Sequence, residues 1–393
     1  QKLYPMQRLQ RNRTLQILQR NWLQIKTDMM QFIYHILIDR FAGCNPAIKG
    51  RGYKGGNLEA IVDRLDYIRQ LGATGILLTP FMKGWRAYHG YHITDYAKVN
   101  PHFGSWKMVD RLVDEAHKRG MTIIADFVAN HCHKRSHVWQ QHPEWFKTDP
   151  KGNPTYFNNI DYLPEFDLDH PEARRFMTDN GLLLCRHGFD ALRLDYAKGP
   201  SIAFWQYFRK NIKREFPQVE LIGEVWGKPL DKKLPTKLDR AFRRGILTEK
   251  EAWQKRYAGI LDGVMDFAYQ ELLVQAVRSG ERISGNKKLY EQVERHFSHF
   301  SKCPDFRLYL FLENHDTNRF LFECQGDVSL LREAVNFSRQ WQYPYIQYYG
   351  MEKGMYNKRD IRCGEPYADE WVRQCMNFDL PNILTNDTVH NFV

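Results

Sequence analysis

The stretch Gly188-Phe189-Asp190-Ala191-Leu192-Arg193-Leu194-Asp195-Tyr196-Ala197-Lys198 decides the fold. Its apolar run, Ala191–Leu194, is too short for a helix and reads as a buried strand ending on a carboxylate. Side chains alternate along a strand, so Arg193 and Asp195 share one face. Seven runs of the same kind flank it: Phe32–Ile38, Gly75–Thr79, Thr122–Phe127, Leu221–Gly223, Gly263–Phe267, Leu308–Leu312 and Tyr345–Tyr349. Amphipathic segments lie between the first of them, such as Leu58–Leu71 and Trp106–Arg119, with Gly72 and Gly120 where a helix C-terminal glycine belongs. Short strands alternating with helices make a parallel sheet. Eight of them predict a closed (β/α)8 TIM barrel. No Gly-x-Gly-x-x-Gly follows the first strand, which argues against an open dinucleotide-binding sheet.

The chain has 393 residues, 43% hydrophobic and 26% charged, which is ordinary globular composition. No apolar run approaches the ~18 residues of a membrane span, and no signal peptide is evident at Gln1-Lys2-Leu3-Tyr4-Pro5. A formal charge of +11 raises the question of nucleic acid, but the charge is dispersed and no nucleic-acid motif accompanies it. The reading is a solvated basic surface and no nucleic-acid or membrane partner. Seven widely spaced cysteines without a Cys-x-x-Cys predict reduced, mostly buried thiols and lean towards a cytoplasmic address.

Residues 1–31 read as an N-terminal helical extension, with Leu15, Leu18, Trp22, Ile25 and Met29 in one stripe. Residues 32–131 and 181–393 form the predicted catalytic barrel. Residues 132–180 form an inserted subdomain between the third strand and the third helix, punctuated at Pro143, Pro150, Gly152, Pro154 and Pro164. Asn386 and Asp387 read as the cap of a further helix that the chain leaves incomplete.

Asp195 ends the fourth strand, Glu224 follows the fifth and Asp316 follows the seventh. Barrel geometry gathers the C-terminal ends of all strands on one face, where such folds place their chemistry. Three carboxylates would converge there beside Arg193, His131 and His315. The words around them are Ile124-Ala125-Asp126-Phe127-Val128-Ala129-Asn130-His131, the stretch at 188–198, Leu221-Ile222-Gly223-Glu224-Val225-Trp226 and Phe311-Leu312-Glu313-Asn314-His315-Asp316-Thr317-Asn318-Arg319. In that order they resemble the four signature regions of the α-amylase family, glycoside hydrolase family 13. Tyr88-His89-Gly90-Tyr91, Leu163-Pro164-Glu165-Phe166-Asp167 and the eighth strand extend the resemblance over roughly residues 32–358.

The resemblance implies a retaining α-glycosidase acting on an oligosaccharide or polysaccharide, with Asp195 as nucleophile, Glu224 as general acid/base and Asp316 orienting the substrate. It implies that His131 and His315 hydrogen-bond the reacting sugar, that Tyr91 stacks on it with His89 nearby, and that Lys198 lines the leaving-group side. Retention requires one ionised and one protonated carboxyl ~5–5.5 Å apart. Arg193 is expected to keep Asp195 ionised, and Glu224 to have a raised pKa. No cofactor is required for this chemistry. A structural calcium is implied at Asn130 and Asp167, whose oxygen donors suit that ion. The histidines at 131, 133, 137 and 142, with Cys132, fit no standard zinc spacing. Two positions depart from the family: His92, where starch-cleaving relatives often carry Trp, and Gly199, where the family often has His. The stretch after Gly350 is too short for the family's C-terminal β-sandwich. A transglycosylase, isomerase or phosphorylase would use the same triad, and a non-catalytic sugar-binding relative would have lost part of it.

Overall fold

The structure is a computed structural model that describes residues 30–227 and 233–384. The predicted helix within residues 1–31 and the capped element after Asn386 lie outside the described residues. All eight predicted runs are strands. They are β1 (Phe32–Ile36), β2 (Gly75–Leu78), β5 (Thr122–Val128), β6 (Ala191–Asp195), β7 (Glu220–Gly223), β8 (Gly263–Met265), β9 (Arg307–Phe311) and β10 (Tyr345–Tyr348). They pair in parallel and close into a barrel in the order β1-β10-β9-β8-β7-β6-β5-β2. The two missing numbers are a short antiparallel hairpin, β3 (Met82–Gly84) and β4 (Ile93–Val99), inserted after β2.

The period of two sorts each strand between two cores. Ile33, Leu77, Ile124, Ala191, Ile222, Tyr309, Phe311 and Ile346 fill the barrel interior. Their chain neighbours Tyr34, Leu78, Ile123, Leu192, Leu221, Leu308 and Tyr345 face the surrounding helices. Each strand is thus buried on both sides, which is why its sequence is a continuous apolar run rather than an alternating one.

Helix Trp106–Lys118 occupies the predicted segment and ends before Gly120, whose φ of 69° is left-handed. Segment 58–71 divides into helices Leu58–Val62 and Leu65–Gln70 around Asp63 and Arg64. The Asn57 side chain caps the first of these by accepting from Ala60 N at 2.9 Å. The insert is mostly loop, held by isolated bridges such as His131–Glu165 and Phe146–Phe166. It gives way at Pro171 to the barrel helix Pro171–Arg186, which therefore crosses the expected boundary at 180. Pro at the first helical turn sets that start, since its missing N–H is not needed there.

The cysteines correct one expectation. Cys44, in the loop after β1, is disulfide-bonded to Cys375, in the segment after β10, across 331 residues. Wide spacing hid a pair that only barrel closure brings together. Cys132, Cys185 and Cys324 are buried free thiols, as expected, while Cys363 is exposed. A disulfide is uncommon in reducing compartments, so the cysteines no longer favour a cytoplasmic address. Among the described residues no helix is long and apolar enough to cross a membrane.

Candidate active site

Moving two residues along the inward face from the apolar layer turns the barrel interior polar. Ile33 gives way to His35, Ile124 to Asp126, Ala191 to Arg193, Ile222 to Glu224 and Ile346 to Tyr348. Arg193 and Asp126 are register partners on neighbouring strands. The Arg193 guanidinium is the hub. Its Nη1 donates to both Asp126 carboxylate oxygens (3.0 and 2.8 Å) and to Asp195 Oδ1 (2.7 Å). Its Nη2 lies 2.7 Å from Glu224 Oε1, an ion contact. Asp195 and Glu224 thus sit on the two ends of one planar cation, which holds them close together.

The backbone at the end of β6 is bent to serve the same cluster. Tyr196 has a left-handed φ of 43°, an unfavourable conformation for a bulky residue. Its N–H donates to Glu224 Oε2 at 2.8 Å, so the strained turn after Asp195 fixes the other carboxyl. Asp316 differs from both. Its side chain is 48% exposed, against 10% for Asp195 and 5% for Glu224, so it reaches into the open cleft above them. His315 Nε2 at 3.1 Å and Arg373 Nη2 at 2.7 Å hold it.

Burial dominates the protonation of this cluster. It pushes Asp195 up to about 7, against the opposing pull of Arg193, with Asp126 and Asp316 adding to the rise. Glu224 is pushed up to about 7 by burial, again opposed by Arg193 and reinforced by Asp195 and Asp316. Asp126 goes up to about 6 for the same first reason. The expectation that Arg193 keeps Asp195 ionised therefore needs revising. One cation shared by three buried carboxyls does not outweigh their desolvation, and the group retains protons towards neutral pH.

Around the carboxyls stands a ring of neutral imidazoles and aromatics. Tyr91 donates its hydroxyl to Asp126 Oδ2 (2.7 Å) and stacks on His315 with ring centroids 5.2 Å apart. His89 stacks on Tyr91 at 5.7 Å and meets His92 edge-on at 4.5 Å. His131 stacks on Phe157 of the insert at 4.3 Å. Burial lowers His131 to about 3 and holds His35, His89 and His315 well below the ordinary histidine range. At neutral pH these rings are uncharged, each with one donor and one acceptor nitrogen. Both nitrogens of His35, and Nδ1 of His315, are buried without a hydrogen-bonded protein partner, a pattern that suits a hydroxyl-rich ligand. Lys198 lies apart, its Nζ 3.7 Å above the exposed Trp226 ring.

The structure thus brings together Asp195, Glu224, Asp316, Arg193, Tyr91, His89 and His315, sets His131 at the insert's edge and places Lys198 beside Trp226. The two calcium candidates flank the seam between insert and barrel, where Phe166 N donates to Asn130 O at 2.9 Å. Asn130 Nδ2 donates to Glu165 Oε1 (3.0 Å), while Asp167 Oδ1 accepts from Asp169 N (3.1 Å). Among the described residues no group of three or more His, Cys, Asp or Glu is placed to hold a metal ion. Sequence reasoning missed Asp126, His35 and Arg373. The first two carried a signal, a polar side chain two residues beyond an inward apolar one on a buried strand. Arg373 carried none, because it belongs to an irregular segment 57 residues from Asp316.

Comparison with known proteins agrees with this architecture. The family described as alpha amylase, catalytic domain, matches residues 35–159 and 156–390. Alpha-amylase 2 of Dictyoglomus thermophilum is 33% identical over 356 residues, covering 87% of this chain and 58% of that protein. Neopullulanase 2 of Thermoactinomyces vulgaris is 27% identical, with 87% and 59% covered, so the chain spans under two thirds of these relatives' length. Among solved structures, an alpha-amylase from Geobacillus thermoleovorans complexed with acarbose superposes with a TM-score of 0.73 at 28% identity, covering 90% of this chain and 75% of that one. With a family match over most of its length and a closed eight-stranded barrel beneath it, this chain belongs to the α-amylase family.

Proposed function

We propose that this chain is a retaining glycoside hydrolase that cleaves α-glucosidic bonds, α-1,4 in the first instance, in glucans or maltooligosaccharides. The observation that carries the reading is the placement of Asp195 and Glu224 on opposite ends of the Arg193 guanidinium. Such a pair shares protons near neutral pH, so one carboxyl is available as nucleophile while the other remains an acid. Asp195 attacks the anomeric carbon as Glu224 donates its proton to the departing glycosidic oxygen. The C–O bond to the leaving sugar breaks and a glycosyl ester on Asp195 forms. Glu224, now ionised, takes a proton from an incoming water. The resulting hydroxide displaces Asp195 and restores the original anomeric configuration. Asp316 and the neutral rings of His131 and His315 hold the hydroxyls of the reacting sugar, Tyr91 stacks on it, and Lys198 with Trp226 lines the leaving-group side.

Release of nitrophenol from a nitrophenyl maltoside, with maltooligosaccharide products of retained configuration by NMR, is the expected result. No cleavage across a panel of α-1,4- and α-1,6-glucosides would overturn the reading. Relatives are named for differing linkages, among them a neopullulanase and a cyclic alpha-maltosyl-(1→6)-maltose hydrolase, which is why the panel spans both. Transfer or isomerisation uses the same glycosyl ester with a sugar acceptor. Mass spectrometry of products with excess acceptor sugar separates those outcomes from hydrolysis.

A further inference from the structure

Among the described residues two tryptophans are exposed, Trp85 at 37% and Trp226 at 40%. A single exposed ring needs no explanation, but these two share a construction. Each carries a cation on its face. Lys198 Nζ stands 3.7 Å from the centre of the Trp226 ring, and the Arg135 guanidinium carbon 3.9 Å from that of Trp85, with Arg86 farther off at 5.5 Å. Such a cation holds an indole in one orientation while part of the ring stays open. The two rings also flank the catalytic carboxyls. Trp226 follows β7, and Trp85 lies between β3 and β4, in the hairpin after β2. Around the barrel, β7 and β2 are separated by β6 and β5, the strands of Asp195 and Asp126. On the glycosidase reading Trp226 lines the leaving-group side, which puts Trp85 on the side of the donor chain.

A continuous series of rings joins Trp85 to the reacting centre. Tyr91 leads through His89 to His92, with centroids 5.7 and then 4.5 Å apart. From His92 the series passes to two residues of the insert, His133 at 6.2 Å and Tyr162 at 5.4 Å. These two are 5.4 Å from each other, and His133 comes within 6.4 Å of Trp85. The backbone beneath the rings is zipped together. Trp85 N donates to His92 O at 3.0 Å, His133 N to Ile93 O at 2.8 Å and Lys134 N to Tyr162 O at 2.9 Å. Hairpin and insert therefore present one stiff wall. Burial brings His92 and His133 down to about 4, so at neutral pH their rings are uncharged. Flat apolar faces interrupted by imidazole nitrogens match the C–H faces and hydroxyl edges of a chain of pyranose rings.

We propose that Trp85, seated against Arg135, is a specificity-determining residue that stacks a sugar farther along the donor chain than the one on Tyr91. The site then takes a glucan or maltooligosaccharide by more than one residue on its non-reducing side. This rests on the glycosidase reading and deepens it. A contact so far from the breaking bond binds substrate and transition state alike, so it raises kcat/KM through KM. Longer donors are therefore preferred.

Direct release of nitrophenol from nitrophenyl α-glucoside and nitrophenyl α-maltotetraoside tests this. The nitrophenyl group occupies the leaving-group side, so every sugar must lie on the donor side. The wild type is expected to show a kcat/KM at least roughly tenfold higher on the longer substrate. Trp85→Ala should lower that ratio by roughly tenfold, mainly through KM, and Trp85→Tyr, which keeps a flat ring, should retain most of it. The side chain is exposed, so both variants should melt close to the wild type. A wild type indifferent to donor length would overturn the proposal. So would a Trp85→Ala protein that loses the same factor on both substrates. A wild type that releases nitrophenol from neither defeats the glycosidase reading instead. Calorimetric titration with maltotetraose then decides: binding roughly tenfold weaker in Trp85→Ala supports the platform, and equal or absent binding overturns it.

Discussion

Two of the buried charge clusters in this fold are built to opposite plans. In one, His296 stands between Glu251 Oε1 (2.8 Å) and Asp266 Oδ2 (2.7 Å). Glu251 also accepts from Thr248 N and His299, and Asp266 from Tyr269 N and Gln254. Burial opposes charge on both partners, yet Asp266 and Glu251 raise His296 to about 9. Hydrogen bonds from His296, Thr248 and His299 bring Glu251 down to about 2. In the other cluster, one Arg193 serves Asp126, Asp195 and Glu224, and burial wins, lifting Asp195 and Glu224 up to about 7. The first cluster satisfies its charges and stays ionised. The second has more carboxyls than its cation can satisfy, and that shortage keeps a proton within reach for chemistry.

The largest effect should come from the second cluster. Asp195→Asn should reduce turnover by roughly 10⁴-fold or more with the melting temperature nearly unchanged, because an amide cannot form the glycosyl ester. Near-normal kcat on nitrophenyl maltoside would break the comparison at its active end. Glu224→Gln should lose roughly 10²–10⁴-fold on maltooligosaccharides but less on the nitrophenyl substrate, whose leaving group needs no proton, with azide rescuing the second step. The wild type's kcat/KM is expected to fall as pH rises past about 7, and the same variant should flatten that fall.

In the first cluster the same kind of change should act on stability. His296→Leu leaves Glu251 and Asp266 buried without their partner, and a loss of roughly 3–5 kcal/mol is expected from urea unfolding. Turnover per folded molecule should hold. The pH dependence sharpens the contrast. His296 has a folded pKa raised from 6.5 to about 9, so its contribution is fully present below pH 6.5 and lost as pH rises through 9. That contribution is roughly 3 kcal/mol, and the urea midpoint measured from pH 6 to 10 should fall accordingly in the wild type and less in His296→Leu.

The smallest effect concerns the outer rim of the Arg193 cluster. Asp316 is ion-paired to Arg373, which belongs to the segment tied down by Cys44–Cys375. Arg40 Nε also holds that segment through the Arg373 carbonyl (3.0 Å), and Met376 N donates to Arg40 O (2.7 Å). Cys44→Ser should therefore lower stability by about 2–4 kcal/mol and raise KM more than it lowers kcat. Equal melting temperatures with and without reductant would remove the disulfide from this account.

What the sequence discloses follows from how each element is held. Strands buried on both faces are continuous apolar runs, so all eight were legible, as were the carboxylates placed just past their ends. The hairpin β3–β4 was not, because its three- and seven-residue strands mix buried with half-exposed positions and carry no clean alternation. The start of the helix at Pro171 was obscured by the loop punctuation before it. Asp126 was quoted within a signature region, yet its role as partner to Arg193 depends on strand register, which pattern alone does not fix. Cys375 and Arg373 owe their positions to barrel closure, a relation between the two ends of the described chain that no local window contains.

That closure has one more consequence. β1 and β10 are the first and last strands of the barrel, and their pairing is the one seam not formed by neighbours in the order of the chain. Cys44 lies just beyond β1 and Cys375 beyond β10, so the disulfide works as a clasp across that seam. Nearly the whole barrel becomes a covalent ring. A protease that cuts a surface loop anywhere between the two cysteines opens the ring without releasing a fragment. The nicked molecule would run as one species without reductant and as two with it. Fraying from the C-terminal end would stop at the clasp before reaching β10, while β1, which precedes Cys44, lies outside the ring.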